Sequence, residues 1–117
     1  AQRLIRKICP YCKEPYTPDS RQLNILDPGL GEEVRKTTFY HGRGCERCFH
    51  TGYAGRIGVF EVLKVDEHLR ELIARGTPES VLKKEAIQQG MNTLKSSGIK
   101  KILQGETTVE ETLRVIL

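Results

Sequence analysis

Apolar residues are spaced differently in the two halves of the chain. From residue 66 onward they recur every three or four positions, which is the period of an α-helix with one buried face. Capping residues and glycines divide this stretch into four predicted helices. These helices begin at Asp66, at Thr77-Pro78-Glu79, near Leu94 and at Thr107-Thr108, and the first three end near Gly76, Gly90 and Gly105.

Two features of these helices carry specific expectations. Gly98 lies inside the third helix and is predicted to permit close packing against a neighbour, because it has no Cβ. Glu110 or Glu111 is predicted to complete a capping box with the threonine three residues earlier. The apolar stripe of the last helix is formed by Val109, Leu113 and Ile116.

The first half is poorer in apolar residues and mixes two patterns. Leu4, Ile5 and Ile8 have helical spacing, which predicts a helix at the start of the chain. Since this helix would begin abruptly and without a cap, we expect the chain to be excised from a longer protein. A short helix is also predicted from Asp19 or Ser20 to the turn Asp27-Pro28-Gly29, and strands are predicted over 37–41 and 57–63.

The chain contains four cysteines, arranged as two Cys-x-x-Cys pairs. A two-residue gap lets the backbone curl so that both sulfurs reach one metal ion, and two such knuckles complete a tetrahedron of thiolates. An all-cysteine shell leaves no open coordination position, so the predicted site is structural and holds one zinc ion. Its ligands are predicted to be Cys9, Cys12, Cys45 and Cys48.

Disulfides, an iron site and a histidine ligand are the alternatives to a four-cysteine zinc site. A disulfide within a Cys-x-x-Cys pair is tight and often reactive, and cross-pairing such as Cys9 with Cys45 belongs to secreted domains. Rubredoxin-type iron uses the same two pairs, but there the second cysteine is typically followed by glycine, whereas Lys13 and Phe49 follow here. His50 could replace one ligand, but four thiolates already fill the shell, so we expect it at the surface or beside the site.

Length and net charge limit the number of domains and the charge around the predicted metal site. The 117 residues suffice for one domain or two small subdomains, and the formal net charge of +4 lies entirely in residues 1–58. A zinc tetrathiolate contributes −2, so the excess near the site falls to about +2. Some of the nearby cations, Lys7, Lys13, Arg43 and Arg47, are expected to balance the thiolates.

Five glycines between residues 42 and 58 are predicted to form turns around the metal, with positive φ where backbone amides approach sulfur. A phosphate-binding loop is the alternative, but its Gly-Lys dipeptide is absent from the chain. The predicted fold is therefore α+β, mainly α. It consists of a small zinc-stapled module with short strands, followed by a small antiparallel helical bundle.

The residues around the second cysteine pair resemble a known family. Residues 44–63, GCERCFHTGYAGRIGVFEVL, are similar to the Gly-Cys-x-x-Cys-x-x-Thr-Gly-Tyr-x-Gly-Arg-x-Gly motif of type II secretion and type IV pilus-assembly ATPases. Residues 1–9 resemble the segment that leaves the RecA-like core of that family, and residues 90–115 resemble its C-terminal helical signature. The resemblance covers essentially the whole chain.

The resemblance implies the C-terminal region of a motor protein. It divides the chain into 1–8, the helical end of the RecA-like core; 9–58, the zinc-binding module; and 59–117, the helical subdomain. The parent would be a homo-hexamer that hydrolyses ATP on the cytoplasmic face of the bacterial inner membrane. It would drive pilus or pseudopilus assembly through a polytopic membrane platform protein. Retraction relatives generally lack the four cysteines, which favours assembly or secretion.

By the same resemblance, ATP and Mg²⁺ would bind only in the core, so this chain is expected to hold no catalytic residue and no nucleotide. We also expect no nucleic acid and no direct membrane insertion. Two other classes stay open at this point. A nucleic-acid-binding zinc ribbon would use Arg43, Arg47 and Arg56 on phosphates and Tyr40 or Tyr53 on bases. A rubredoxin-like electron carrier would hold iron instead of zinc.

Overall fold

The structure is a computed structural model and describes residues 1–26 and 37–116. The elements alternate short strands with helices, and the helices hold more residues than the strands. In chain order they are β1 (Gln2–Ile8), β2 (Lys13–Tyr16), α1 (Ser20–Leu26), β3 (Phe39–Gly42), a 3₁₀ turn (Glu46–Cys48), β4 (Tyr53–Phe60), α2 (Glu67–Ala74), α3 (Glu79–Gln88), α4 (Leu94–Leu103) and α5 (Val109–Ile116). The α+β, mainly α, fold class is confirmed.

The first residues form a strand, so the predicted helix over residues 1–8 is wrong. β1 pairs antiparallel with β4, with Ile5 opposite Ile57 and Gln2 opposite Phe60. Side chains alternate between the faces of a strand, so residues three apart lie on opposite faces. Ile5 and Ile8 are nevertheless both buried, because both faces of β1 are covered near its end. This double burial imitates helical spacing.

The strand predicted over 57–63 is confirmed for residues 57–60, and it starts and ends earlier than predicted. β4 starts at Tyr53, four residues before the predicted start, and its last pair joins Phe60 to Gln2. The ladder has an irregularity opposite Arg6 to Ile8, where β4 contains the extra residue and Gly55 has φ 79°. Beyond Phe60, Glu61 still exchanges backbone hydrogen bonds with Ala1. The chain then runs without strand pairing, and Val62 there is 72% exposed.

A second antiparallel pair joins β2 to β3, with Lys13 opposite Gly42 and Tyr16 opposite Phe39. The predicted strand at 37–41 is confirmed from Phe39 onward. The short helix predicted from Asp19 or Ser20 is confirmed as α1. Asp19 Oδ1 accepts a hydrogen bond of 2.8 Å from the Arg21 amide. The turn Asp27-Pro28-Gly29 predicted to end it lies outside the described residues.

The apolar core brings α4 and α5 against the first half of the chain. Its buried members come from α1, β3, α4 and α5, and they are Leu23, Leu26, Phe39, Ile102 and Val109. α2 packs mainly on α3, so the last four helices form two pairs. The predicted boundary between residues 58 and 59 falls inside β4. The division into domains stays a prediction.

The predicted caps are mostly confirmed. Asp66 Oδ1 accepts from the Leu69 amide at 2.8 Å, and Thr108 Oγ1 accepts from the Glu111 amide at 3.0 Å. The predicted Thr77 cap of α3 is wrong, because Pro78 occupies the capping position and provides no side-chain acceptor. Gly98 packs closely as predicted, since a Cβ there would meet the Ile116 Cδ1 atom at 2.6 Å.

None of the helices in residues 1–26 and 37–116 is both long and apolar enough to cross a lipid bilayer.

Candidate metal centre

The two Cys-x-x-Cys pairs meet at one point of the structure. Cys9 and Cys12 lie in the turn between β1 and β2, while Cys45 directly precedes the 3₁₀ turn that follows β3 and Cys48 is its last residue. Because β2 pairs with β3, the two turns are held side by side. The four sulfurs all lie within 4.8 Å of one another. Cys9, Cys12 and Cys48 are buried, and Cys45 is partly buried.

The sulfur spacing fits a tetrahedral metal ion. The distances are 3.8 Å between the Cys9 and Cys45 sulfurs, 3.8 Å between those of Cys12 and Cys48, and 3.7 Å within the second pair. A zinc–sulfur bond of about 2.3 Å places neighbouring sulfurs of a regular tetrahedron about 3.8 Å apart. All four cysteines are among the described residues and none forms a disulfide. The four predicted ligands therefore lie close enough together to hold one metal ion.

Backbone amides point at one of the sulfurs. The amides of Cys45 and Gly52 each donate to the Cys48 sulfur at 3.2 Å. Burial alone would raise the pKa of the Cys48 thiol, but these two amides and the neighbouring thiols outweigh it and lower that pKa to about 6. Burial raises the pKa of the Cys12 thiol to about 12. The cluster thus already stabilises a thiolate at Cys48, and thiolate is the form that binds metal.

The two knuckles are also joined by backbone hydrogen bonds. The Cys9 amide donates to the Gly52 carbonyl at 2.9 Å, and the Arg43 amide donates to the Cys12 carbonyl at 3.2 Å. Gly42 and Gly52 approach so closely that a Cβ on either would collide with the carbonyl oxygen of the other. Gly44 and Gly52 have positive φ, at 99° and 81°. The prediction that glycines form turns around the site is confirmed for Gly44 and Gly52, whereas Gly55 and Gly58 lie within β4.

The predicted counter-charges are arranged differently from the expectation. The Arg47 guanidinium lies 4.1 Å above the Tyr11 ring, and the Lys13 ammonium lies 4.7 Å above the Tyr40 ring. These cations are therefore held by aromatic faces beside the knuckles. The Cys48 sulfur instead accepts hydrogen bonds from the backbone amides of Cys45 and Gly52. The sequence did not predict which amides would do this.

The histidines lie outside the sulfur cluster. His50 is exposed, with φ 60°, which agrees with the expected surface position. His41 Nε2 lies 2.9 Å from Glu14 Oε1, and its ring stacks on Tyr16 with the ring centroids 4.6 Å apart. His68 lies 3.2 Å from Glu85 on the α2–α3 pair.

The two tyrosines of the nucleic-acid alternative are engaged within the fold. The Tyr53 hydroxyl lies 2.7 Å from Thr108 Oγ1, and the Arg6 guanidinium covers its ring at 4.1 Å. Tyr40 has Lys13 above its ring. Neither tyrosine offers the two free faces on which stacked bases would lie.

A buried carboxylate links the start of the chain to its last helix, and sequence reasoning missed it. The Glu111 side chain is 0% exposed and forms ion pairs with Arg6 at 3.1 Å and Arg114 at 2.8 Å. Glu111 also accepts from the Arg6 amide at 2.7 Å. Burial opposes ionisation, but the Arg114 and Arg6 donors outweigh it and lower the pKa of Glu111 to about 2.

The sequence assigned Glu111 to a possible capping box. Thr108 Oγ1 accepts the capping hydrogen bond from the Glu111 amide, whereas the Glu111 carboxylate accepts from the Arg6 amide of β1. The only sequence signal for this role was the three-residue spacing of Glu111 and Arg114, which permits an ion pair on one helix face.

Fold and site together define an α+β module with a cysteine cluster that can hold a metal ion. A family model described as type II/IV secretion system protein matches residues 1–114. The chain belongs to this family, and the resemblance noted in the sequence is confirmed.

Individual relatives agree with the family assignment. The type IV pilus assembly ATPase PilB of Thermus thermophilus is 44% identical over 114 residues, covering 97% of this chain and 13% of the relative. The type II secretion system protein E of Pseudomonas aeruginosa is 40% identical over 117 residues, covering 98% and 22%. The type II secretion system ATPase E of Vibrio cholerae is 40% identical over 115 residues, covering 98% and 22%. The chain thus spans 13 to 22% of the length of these relatives.

Proposed function

We propose that this chain is the zinc-binding C-terminal part of a secretion or pilus-assembly ATPase, with one structural zinc ion held by Cys9, Cys12, Cys45 and Cys48. The observation that carries the metal site is the cluster of four sulfurs within 4.8 Å of one another. Thiolate ligands in a tetrahedral arrangement favour zinc over harder cations. With four protein ligands the ion has no open position for substrate, so its role is structural.

The physical role of the ion is to staple the module. It joins residues 9–12 to residues 45–48 and thereby closes the 32 residues between Cys12 and Cys45. In small metal modules the binding free energy, about 10 kcal/mol or more for zinc, is largely folding free energy. The three buried sulfurs form a cluster of their own, separate from the apolar core. Metal binding would therefore supply most of the stability at this end of the molecule.

For the parent protein, we propose a homo-hexamer that hydrolyses ATP on the cytoplasmic face of the inner membrane. It would power pilus or pseudopilus assembly and protein secretion through a polytopic inner-membrane platform protein. The support is the family membership and the ATPase and secretion-system proteins among the relatives. ATP and Mg²⁺ would bind in the RecA-like core, and this chain would contribute neither nucleotide contacts nor a catalytic group. The module would pack against neighbouring subunits or transmit movement to the platform protein.

The first experiment is elemental analysis of the purified chain, prepared without added metal, together with its visible spectrum. We expect one zinc per chain and no visible absorption. Stoichiometric iron with a red colour would instead identify an electron-transfer site and overturn the zinc assignment. The matched control is the Cys48→Ser variant, which should lose the metal, because a three-thiolate shell binds zinc far more weakly.

The motor role is tested separately in the full-length parent. The 117-residue chain alone should not hydrolyse ATP, while the full-length protein should. The Cys9→Ser and Cys45→Ser variants of the full-length protein should lose pilus or pseudopilus assembly. Retained assembly by metal-free variants would show that the zinc module is dispensable for the motor.

A further inference from the structure

Two aromatic side chains project from the knuckles into solvent. Phe49 directly follows Cys48 and is 87% exposed, and Tyr11 lies within the first cysteine pair and is 64% exposed. The neighbouring sulfurs of Cys12 and Cys48 are 3.8 Å apart, so the two rings belong to the same end of the module. Arg47 lies over the Tyr11 ring. We call Tyr11, Arg47 and Phe49 the knuckle tip.

The backbone at Phe49 is unfavourable for a bulky residue. Phe49 has φ 56° and His50 has φ 60°, and among the described residues these are the non-glycine residues with positive φ. Glycine adopts this left-handed conformation freely, whereas a side chain is strained there. The turn is held by hydrogen bonds from the Phe49 amide to the Glu46 carbonyl at 3.2 Å and from the His50 amide to the Cys45 carbonyl at 2.8 Å. A glycine would suit the backbone at position 49 better, so the exposed phenylalanine lowers local stability.

The exposed Phe49 ring does not stabilise the fold. Apolar side chains in strained backbone are expected where the side chain acts outside the fold. The knuckle itself is rigid, because the Cys45 and Gly52 amides bond the Cys48 sulfur and the Cys9 amide bonds Gly52. The tip thus presents two aromatic rings in a fixed position.

The positive charge at the tip favours an anionic partner. Within residues 1–26 and 37–116, no carboxylate forms an ion pair with Arg47 or Arg43. Both arginines are exposed, and Glu46 is the exposed acid beside them. These two exposed arginines therefore have no carboxylate partner among the described residues and can meet an external anion.

The size of the tip favours a lipid surface over a folded protein. A specific protein interface takes about 20–30 residues on each side, whereas the tip offers three residues and their immediate neighbours. Aromatic side chains accompanied by arginine favour the headgroup level of a bilayer. A projecting tip can enter this soft layer without a matching pocket, and each cation near an anionic lipid surface adds to the attraction.

We propose that the knuckle tip docks on an anionic phospholipid surface, with Phe49 and Tyr11 at the headgroup level and Arg47 on lipid phosphates. Only side chains would enter the interface, and no segment would cross the bilayer. The proposal goes beyond the proposed motor function, because it requires neither ATP hydrolysis nor a hexamer. Binding by one tip is weak and reversible, with half-binding expected at about millimolar lipid.

The test is co-sedimentation of the metal-loaded 117-residue chain with vesicles of phosphatidylglycerol and phosphatidylcholine, compared with phosphatidylcholine alone. We expect binding only to the anionic vesicles. Phe49→Gly should weaken it about tenfold, because the ring contributes most of the apolar contact. Arg47→Gln should weaken it about fivefold through loss of one cation. Phe49→Gly removes the strained side chain, so its thermal stability should equal or exceed that of the wild type.

The matched controls lie elsewhere on the surface. Val62→Ser removes an apolar side chain that is 72% exposed, and Arg70→Gln removes an exposed arginine of α2. Neither control should change vesicle binding. Because the chain has no tryptophan, the tryptophan fluorescence of the Phe49→Trp variant, excited where tyrosine does not absorb, reports position 49 alone and should shift to the blue on anionic vesicles.

Three outcomes would overturn the proposal. Absence of wild-type binding to both vesicle types would exclude a lipid partner and leave a protein partner for the tip. Binding lost in Arg47→Gln but unchanged in Phe49→Gly would reduce the effect to general electrostatic attraction. Equal losses in Val62→Ser and Phe49→Gly would show nonspecific apolar adsorption.

Discussion

At the scale of single residues, the glycines beside the cysteines are as specific as the cysteines themselves. Gly52 combines three constraints: φ 81°, an amide that bonds the Cys48 sulfur, and a Cβ position blocked by the Gly42 carbonyl. Gly55 has nearly the same φ, 79°, but a Cβ there would meet only Lys7 Cδ at 4.0 Å. The two positions therefore separate backbone strain from steric collision.

We expect Gly52→Ala to lower the free energy of unfolding of the metal-loaded chain by about 3 kcal/mol, since strain and overpacking add. Gly55→Ala should lower it by about 1 kcal/mol, from backbone strain alone. Urea denaturation with matched metal content measures both. Equal losses in the two variants would mean that the contact between Gly42 and Gly52 relaxes without cost.

At the scale of elements, local signals were readable and distant pairings were not. The clustering of the four cysteines followed from their spacing, and the Asp66 and Thr108 caps followed from capping chemistry, because each needs only a few neighbouring residues. β1 was missed because its partner, β4, lies about 50 residues away and both of its faces are covered. Glu111 was missed as an ion-pair residue because Arg6 is 105 positions distant in the chain. Such contacts depend on topology, which residue spacing does not encode.

Glu111 is the contact through which α5 holds β1, and it gives stability a specific pH dependence. Its pKa in the fold is about 2, below the ordinary value of 4.5. A depressed pKa stabilises the fold above pH 4.5, and this contribution is lost as the pH falls toward 2. The shift corresponds to about 3 kcal/mol. We expect Glu111→Gln to destabilise the chain by about that amount at pH 7, with the difference from wild type shrinking below pH 4.5.

The measurement is chemical denaturation of both proteins between pH 7 and pH 3. Thiolate ligands also take up protons in acid, so the difference between the two proteins isolates Glu111 better than either curve alone. The matched control is Glu110→Gln, the exposed neighbour on the same helix, which should change stability by less than about 0.5 kcal/mol. A difference that stays constant with pH would mean that Glu111 stabilises the fold by packing and not by its charge.

At the scale of the whole molecule, the structure is elongated, 55 × 29 × 18 Å, and its parts are unequally joined. The cysteine site connects to the last two helices through β1. The Ile8 amide donates to the Glu106 carbonyl at 2.9 Å, and Thr107 Oγ1 donates to the Arg6 carbonyl at 2.8 Å. α2 and α3 pack mainly on each other and contribute little to the apolar core. Metal binding is therefore connected to α5 more directly than to the α2–α3 pair.

Removing the metal should reveal this division. Hydrogen exchange on the metal-loaded and chelator-treated chain should show protection lost in β1 to β3 and in α5, because the strands that hold the site also hold α5. The α2–α3 pair should exchange rapidly in both states, since two short helices with little buried surface open at low free energy. Protection that survives in α5 without metal would show that the core of α1, β3, α4 and α5 is stable alone. In that case the cysteine cluster would act as a local clamp on the knuckles, and movement at the knuckle tip would not be transmitted to the rest of the molecule.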